Sequence, residues 1–277
     1  MGSSAGDNLR FVTINVCLAG ATGWTGRPIA EAIVASEDLV LRRAVSRSAA
    51  GADLGTAWGG DPLGVPVHAS VAEALDGVDV LVDYTSVDAV LTNTLAALDR
   101  GVSVVIGTSG LTADDFAEID RLAKEAGVGV VASGNFSLTA AMAQAAALLV
   151  ARYLPSREII DYASAGKPDA PSGTAQELAE RLADVRPNSV EVPPDQTSGS
   201  IEARGTTVAG TQVHSLRLPS FVVSTEVVFA LPDERLSIRH DAGGTPTPYV
   251  GGTLLAVRAV LGRTGLTRGL DTLLLTE

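Results

Sequence analysis

The chain has 277 residues, 46% of them hydrophobic, which suits one large or two modest domains with a buried core. A formal net charge of −12 and a pI of about 4.7 argue against nucleic acid and against an anionic membrane surface as partners. The single cysteine, Cys17, excludes an intrachain disulfide framework. No apolar run reaches the length of a membrane span and the N-terminus lacks a signal-peptide pattern, so we expect a cytoplasmic protein.

The first motif is a strand, a glycine-rich loop and a helix in direct succession. Phe11–Ala19 is rich in β-forming residues, Gly20-Ala-Thr-Gly-Trp-Thr-Gly26 follows at once, and Arg27–Ala35 is predicted to be a helix. Glycine permits a tight turn and lets the backbone approach a pyrophosphate, which then lies on the helix N-terminus. Because strands and helices keep alternating as far as Ala132, the pattern predicts a dinucleotide-binding domain around a parallel sheet.

The end of the second predicted strand, Leu39–Val45, bears on which dinucleotide binds. Ser46-Arg47-Ser48 follows this strand. An acidic residue here favours NAD, whereas a guanidinium flanked by hydroxyls suits the 2′-phosphate of NADP. We therefore expect NADPH as the cofactor, with NADH as the alternative if Arg47 faces solvent.

The later strands of this domain end in small and hydroxylated residues. Asp79–Tyr84 runs into Thr85, Val102–Ile106 into Gly107-Thr108-Ser109, and Gly129–Ala132 into Ser133-Gly134-Asn135-Phe136. Ligands of open α/β sheets lie at the carboxyl ends of the strands, so these residues are candidates for the cofactor site. Helices are predicted between them at Val90–Arg100 and Ala113–Ala126.

A second domain with different patterning follows. Leu138–Tyr153 is predicted to be a helix and Glu158–Tyr162 a strand, while Thr206–Leu218, Phe221–Ala230 and Arg235–His240 alternate as three antiparallel strands. The predicted fold is α/β, with a Rossmann-like parallel sheet over residues 8–136 and an α+β domain with a mainly antiparallel sheet over 137–249. A closing segment, 250–277 with a helix at Gly251–Leu261, is expected to pack back on the first domain.

One stretch of the second domain has the composition of an anion receptor. Lys167-Pro-Asp-Ala-Pro-Ser172-Gly173-Thr174 precedes Ala175–Leu182, which has apolar residues at helical spacing. N–H groups at a helix start, two hydroxyls and an ammonium together can bind a carboxylate or a phosphate. The alternative interpretation is an ordinary capped helix whose lysine points into solvent.

The order of these motifs resembles the dihydrodipicolinate (4-hydroxy-tetrahydrodipicolinate) reductase family of lysine and diaminopimelate synthesis. The resemblance covers nearly the whole chain and rests on the glycine loop, Asp83-Tyr84-Thr85, Val105–Gly110, Gly134–Ser137 and, most specifically, Lys167–Ala175. It implies a nicotinamide-dependent reductase with a domain for substrate binding and oligomerisation, assembled as a homotetramer.

Carried over by position, the resemblance implies two sets of site residues. The cofactor would be bound by Gly20, Ala21, Thr22, Gly23, Trp24, Thr25, Ser46, Arg47, Thr85, Gly107, Thr108, Ser109, Ser133, Gly134, Asn135 and Phe136. The substrate, a carboxylate-bearing small molecule, would be bound by Ser164, Lys167, Ser172, Gly173 and Thr174, and Lys167 would also be the catalytic residue.

The sequence departs from the family pattern at several positions. The family has a pair of histidines shortly before the lysine, one a proton donor and one a substrate ligand, where this chain has Ala163 and Ser164. Neither replacement can act as an acid near neutral pH. Asp241 and Thr245 stand where the family has basic residues, and Val223–Glu226 replaces its glycine-rich segment.

These departures shape the functional hypotheses. The first is an NADPH-dependent reductase of a cyclic imine or a conjugated C=N/C=C carboxylate with an altered substrate. The alternatives are the authentic 4-hydroxy-tetrahydrodipicolinate reductase and, in another class, an NADPH-binding protein without reductase activity. A short-chain dehydrogenase would need a tyrosine four residues before the lysine, whereas Tyr162 precedes Lys167 by five.

The remaining polar residues suggest no second chemistry. No group of His, Cys, Asp and Glu has metal-ligand spacing, so we expect no metal. His240 could supply an acid from another direction, although a core or rim histidine is the favoured interpretation. Asp169 is interpreted as a turn or capping residue, and Cys17 as part of the core.

Overall fold

The computed structural model describes residues 13–219 and 223–275, so the predictions for residues 8–12, 220–222 and 276–277 lie outside it. Within these ranges a seven-stranded parallel sheet and a five-stranded mixed sheet form two layered units. This confirms the predicted fold class.

The parallel sheet has the strand order β12-β6-β5-β4-β1-β2-β3. Its strands are β1 (Ile14–Ala19), β2 (Leu39–Val45), β3 (Val67–His68), β4 (Val80–Asp83), β5 (Ser103–Ile106), β6 (Gly129–Ala132) and β12 (Gly265–Arg268). Its helices are α1 (Gly26–Val34), α2 (Leu54–Ala57), α3 (Val71–Ala74), α4 (Val87–Asp99) and α5 (Ala113–Ala126).

Both faces of this sheet are buried, as the near-continuous apolar strands require. On one face, Leu18 and Val82 pack with Ile29 of α1. On the other, Cys17 and Leu81 pack with Ile119 of α5. Burial raises the pKa of the Cys17 thiol to about 12, which fits a core residue and not a nucleophile.

The mixed sheet has the strand order β11-β10-β7-β9-β8. Its strands are β7 (Ser156–Ala163), β8 (Thr206–Val208), β9 (Thr211–Arg217), β10 (Val223–Leu231) and β11 (Glu234–Asp241). Helices α6 (Leu138–Ala151) and α7 (Gly173–Val185) cover one face, where Ile159 and Phe229 pack with Leu182. All neighbouring strands are antiparallel except β7 and β9, which run parallel.

The C-terminal segment returns to the first sheet. Helix α8 (Thr247–Val260) packs against α1, and its Ala256 and Val257 join the same core as Leu18. Strand β12 pairs with β6 at the sheet edge, and α9 (Leu270–Leu275) packs on α6 and α8. Helix α8 begins at Thr247, earlier than the predicted Gly251, and neither β12 nor α9 was predicted. Strand β12 has a weak sequence signal because Gly265–Arg268 has little β-branched character.

The prediction of one strand over 206–218 is wrong. The segment is the hairpin of β8 and β9, joined at Ala209 and Gly210, which both have positive φ angles of 46° and 79°. Two such residues form the tight turn whose twist suits a two-residue hairpin. Alanine is a poor sequence signal for this conformation, so the turn was missed.

Across the described residues, no helix combines the length and the apolar character needed to cross a lipid bilayer.

Candidate active site

The backbone of the glycine loop between β1 and α1 packs closely against itself and against the end of β4. Gly20 has a φ of 84°, and a Cβ there would lie 2.3 Å from the Tyr84 carbonyl oxygen. A Cβ on Gly26 would lie 2.1 Å from the Gly20 carbonyl oxygen. Thr25, the N-cap of α1, makes no side-chain cap hydrogen bond, so its hydroxyl does not occupy the first amides of the helix, which can accept an anion. The loop therefore fits a pyrophosphate on both steric and polar grounds.

A hollow of about 440 Å³, here called the ribose hollow, lies on one side of this loop. Gly20, Thr22 and Gly23 border it from the loop, and Ser46, Arg47 and Thr85 border it from the neighbouring strand ends. Thr22 Oγ1 lies 2.7 Å from Ser46 Oγ, which lies 3.2 Å from Ser48 Oγ. The Arg47 side chain is exposed at the rim of this hollow.

Asp83, at the end of β4, holds two strand-end loops together. Its buried carboxylate accepts hydrogen bonds from the Thr85 hydroxyl at 2.7 Å, from Asn93 Nδ2 at 2.8 Å and from the Thr108 hydroxyl at 2.9 Å. The hydroxyls of Thr85 and Thr108 are thus already engaged. The sequence analysis missed this role, although an aspartate closing an apolar strand was a visible signal.

A second hollow, here called the central cleft, lies between the two domains and has a volume of about 210 Å³. Its cofactor-side wall consists of Trp24, Thr25, Tyr84, Gly107, Ser109, Ser133, Gly134, Asn135 and Phe136. Its substrate-side wall consists of Lys167, Ser172, Gly173, Thr174 and Val223, and Tyr249 of α8 completes it. The structure therefore brings most of the predicted cofactor and substrate residues to one cleft, whereas Ala21 is buried in the core.

The substrate-side wall is organised around Asp161 of β7, which is fully buried. Its carboxylate accepts from the Ser172 amide at 2.8 Å, from the Ser172 hydroxyl at 2.6 Å and from Arg217 Nη2 at 2.8 Å. The Ser172 oxygen also accepts from the Ala175 amide at 3.3 Å, so it caps α7. The amide and the hydroxyl proton of Ser172 are both committed to Asp161, so Ser172 positions the start of α7 and does not itself offer a donor to a ligand.

Lys167 lies in the bend between β7 and α7. Its side chain is 27% exposed, and Nζ lies 2.8 Å from Asp169 Oδ1. Arg217 Nη2 lies 2.5 Å from the Asp169 carbonyl oxygen, which ties the bend to Asp161. Asp169, interpreted from sequence as a turn residue, is thus also the ion-pair partner of Lys167.

Ala163 and Ser164, at the histidine positions of the family pattern, do not line the central cleft. The Ala163 side chain is fully buried and pairs with Val223 in the sheet. The Ser164 carbonyl oxygen accepts from the Lys167 amide at 3.0 Å. Ser164 therefore shapes the bend through its backbone, and the structure does not bring its side chain to the other predicted substrate ligands.

Glu177 of α7 connects the two walls from beneath. This buried carboxylate accepts a hydrogen bond from the Gly134 amide and one from Gln144 Nε2 at 3.2 Å. Arg181, one helical turn on, lies 3.7 Å from Glu177 and forms a bidentate pair with Asp271 of α9. Burial raises the pKa of Glu177. Sequence reasoning missed this group, although two charges spaced i,i+4 within an apolar helix face were a usable signal.

Among the described residues, no group of three or more His, Cys, Asp or Glu side chains could hold a metal ion.

The glycine loop has a hollow on each side and faces the Lys167 ammonium and the start of α7 across the central cleft. This arrangement is typical of a two-domain oxidoreductase that uses a nicotinamide dinucleotide. Comparison with family models agrees. "Dihydrodipicolinate reductase, N-terminus" matches residues 14–136, and "Dihydrodipicolinate reductase, C-terminus" matches residues 134–274. The chain belongs to the dihydrodipicolinate reductase family, which confirms the predicted resemblance and an NAD(P)H-dependent oxidoreductase.

Individual relatives agree over almost their whole length. The chain is 38% identical to the 4-hydroxy-tetrahydrodipicolinate reductase of Moorella thermoacetica, over 95% of this chain and 99% of that one. It is 35% identical to the same-named protein of Corynebacterium diphtheriae, over 94% and 98%.

Solved structures place the fold in the same group. A dipicolinate-bound dihydrodipicolinate reductase from Paenisporosarcina sp. TG-14 superposes with a TM-score of 0.73 at 28% identity, covering 94% of this chain and 99% of that one. GenD2 from gentamicin A biosynthesis, solved with NAD, has a TM-score of 0.62 at 16% identity over 94% and 90%, which shows a shared fold alone.

Family membership overturns the short-chain dehydrogenase hypothesis. The geometry agrees, because the Tyr162 hydroxyl donates to Glu226 at 3.1 Å and Tyr162 does not line the central cleft. The roles of the individual site residues remain predictions.

Proposed function

We propose that the protein is an NADPH-dependent 4-hydroxy-tetrahydrodipicolinate reductase. One observation carries the proposal: the glycine loop and the Lys167 bend, with its helix start, line the same cleft. The names of the relatives favour this substrate over the altered substrate that the sequence analysis put first.

The first domain holds the cofactor along the two hollows. The adenosine end fits the ribose hollow, the pyrophosphate fits the start of α1, and the reactive ring fits the wall formed by Gly107 and Ser133–Phe136. When bound, the reduced nicotinamide supplies a hydride. Arg47 beside three hydroxyls favours a 2′-phosphate, so NADPH is preferred over NADH.

The second domain holds the substrate by one carboxylate. The amides at the start of α7 and the Lys167 ammonium converge on the cleft, and a substrate carboxylate can replace Asp169 as partner of Lys167. A hydride acceptor becomes electron-rich at nitrogen or at an α-carbon, so a nearby positive charge stabilises the transition state more than the ground state. Lys167 therefore orients the substrate and stabilises the developing charge.

A second candidate is the reduction of a related cyclic imine with fewer carboxylates. It is favoured by Ala163 and Ser164, which replace the histidine pair, and by Asp241 and Thr245 at positions where the family has basic residues. Both candidate reactions use the same cleft. They differ in the number of positively charged protein groups that the carboxylates of the substrate require.

The assay is oxidation of NADPH by the purified protein with freshly generated 4-hydroxy-tetrahydrodipicolinate. We expect turnover that falls about 100-fold or more in Lys167→Met, with unchanged affinity for NADPH. The matched control is Lys124→Met, since Lys124 lies on α5 and pairs with Asp120. Turnover of a simpler cyclic imine but not of this substrate would favour the second candidate, and NADPH binding without turnover of either would favour a non-enzymatic binding protein.

The proposal includes a cytoplasmic homotetramer. Its support is the face of the mixed sheet not covered by α6 and α7, where Ile160, Leu216 and Val228 border a hollow of about 1080 Å³. Light scattering of the purified protein tests the subunit number, and a monomer at assay concentration would refute it.

A further inference from the structure

The central cleft contains few groups that can deliver a proton. The sequence has three histidines, and none of them lines the cleft. His214 Nε2 lies 2.8 Å from Glu158 on the mixed sheet, His240 Nε2 lies 3.1 Å from Thr139 Oγ1, and His68 lies in β3 at the far edge of the parallel sheet. Among the residues that the structure describes, no carboxylate lines the cleft either, and the ionisable lining groups are Lys167, Tyr84 and Tyr249.

Two of these three groups are already engaged. The Lys167 ammonium pairs with Asp169. The Tyr84 hydroxyl lies 2.7 Å from Thr253 Oγ1, and the Tyr84 side chain is partly buried against the core. The Tyr249 phenol, in contrast, has no hydrogen-bond partner within residues 13–219 and 223–275.

The backbone and ring of Tyr249 are held firmly. Tyr249 lies in the first turn of α8, where its amide donates to the Pro246 carbonyl oxygen at 3.0 Å. The Thr253 hydroxyl donates to the Tyr249 carbonyl oxygen at 2.8 Å. Its ring meets the ring of Trp24 edge-on, with centroids 6.3 Å apart, at the glycine loop. The phenol is therefore a positioned O–H group on the wall between the cofactor loop and the Lys167 bend.

We propose that Tyr249 is a catalytic residue, whose phenol donates the proton that the substrate nitrogen takes up during hydride transfer. This inference rests on the proposed function. The hydride forms a C–H bond at the acceptor carbon, and the π electron pair moves to the ring nitrogen. The Tyr249 O–H bond breaks as an N–H bond forms, and the phenolate regains a proton from water at the cleft opening. Tyr249 thus takes the role that the proton-donating histidine has in the family pattern.

The electrostatic surroundings of Tyr249 suit a neutral donor. Ionisable groups on the cleft wall and on the elements packed against α8 are Lys167, Tyr84, Arg27, Glu31, Asp83 and Asp271. Arg27 pairs with Glu31, and Asp271 pairs with Arg181. Asp83 accepts its hydrogen bonds from Thr85, Asn93 and Thr108. Burial raises the pKa of Tyr249, so the phenol stays protonated across the neutral range.

The test compares Tyr249→Phe with the wild type over a range of pH. We expect kcat at pH 8 to fall about 100-fold, which is the usual contribution of a general acid, with an unchanged KM for NADPH. The loss should shrink as pH falls, because an imine already protonated by solvent needs no donor. The control is Tyr153→Phe, since that side chain is 72% exposed and lies beyond the end of α6. NADPH binding and the melting temperature show that the variant is folded.

The outcomes separate the two claims. An active wild type whose Tyr249→Phe variant keeps kcat within twofold overturns the inference alone. A loss that is equal at every pH, or that appears mainly in the KM for NADPH, also overturns it, because it indicates packing against Trp24. A wild type that binds NADPH without turnover overturns the proposed function, and the inference with it.

Discussion

Replacing Asp161 is expected to be among the most damaging single changes in the second domain. Its fully buried carboxylate accepts hydrogen bonds from the Ser172 amide and hydroxyl, from the Ser215 hydroxyl at 3.1 Å and from Arg217. In Asp161→Ala the Arg217 guanidinium, on a side chain only 16% exposed, loses its carboxylate partner. Removing one partner of a buried ion pair costs about 3–5 kcal/mol, because it leaves an uncompensated buried charge.

The functional effect follows from the same contacts. Arg217 also holds the Asp169 carbonyl, and Ser172 caps α7, so the Lys167 bend loses its support when Asp161 is removed. We expect a raised KM for the substrate, with smaller changes in the KM for NADPH. The cofactor loop lies on the other wall of the cleft and does not contact Asp161.

Equilibrium urea unfolding measures the stability change. Arg217→Ala and the Asp161→Ala/Arg217→Ala double variant complete a double-mutant cycle. We expect the double variant to lose less stability than the two single variants lose in sum, with a coupling free energy of about 1–3 kcal/mol between the two side chains. Asp99→Ala, an exposed carboxylate at the end of α4, is the control. If Asp161→Ala costs less than about 1 kcal/mol, the value typical of a surface pair, the argument from the buried pair is refuted.

Two further predictions concern cofactor choice and pH. Arg47→Ala should raise the KM for NADPH about tenfold or more and leave the KM for NADH nearly unchanged. The control is Arg100→Ala, since Arg100 is exposed. Equal effects on the KM values of both cofactors would contradict a contact between Arg47 and the 2′-phosphate. Burial lowers the pKa of His240 from its ordinary value of 6.5, so its contribution to stability is present above pH 6.5 and is lost as pH falls through the folded pKa. His240→Gln should therefore flatten the fall in melting temperature below pH 6.5, and an unchanged slope would show that other groups control it.

Local patterns were enough to predict most elements of the first domain. Helix α5 and strand β6 have the predicted bounds, because a capping box at Thr112 and Asp115 and a glycine at Gly127 define the helix ends from neighbouring residues alone. The glycine loop was predictable for the same reason, because its tight turn and the close approach of its backbone depend on glycines only a few residues apart in the chain.

The second domain was harder to predict from sequence. The turn at Ala209-Gly210 lacks the usual signal for positive φ. In the first sheet, β12 was equally hard to predict, because its residues have little β-branched character and it forms by pairing with β6 at the sheet edge. Strand β9 pairs in parallel with β7, which lies about fifty residues earlier in the chain. The local sequence of either strand does not encode this pairing.

By itself, the sequence determined the strand–glycine loop–helix succession of the first domain and the replacement of the family's histidine pair, and it predicted an anion-binding helix start beside Lys167. Only the tertiary structure decided what each polar group does, because hydrogen-bond partners come from segments far apart in the chain. It assigned the Ser172 hydroxyl to Asp161, the Lys167 ammonium to Asp169, and the Gly134 amide to Glu177. It also brought Tyr249 from the C-terminal helix into the cleft, since α8 packs on the same sheet face as α1.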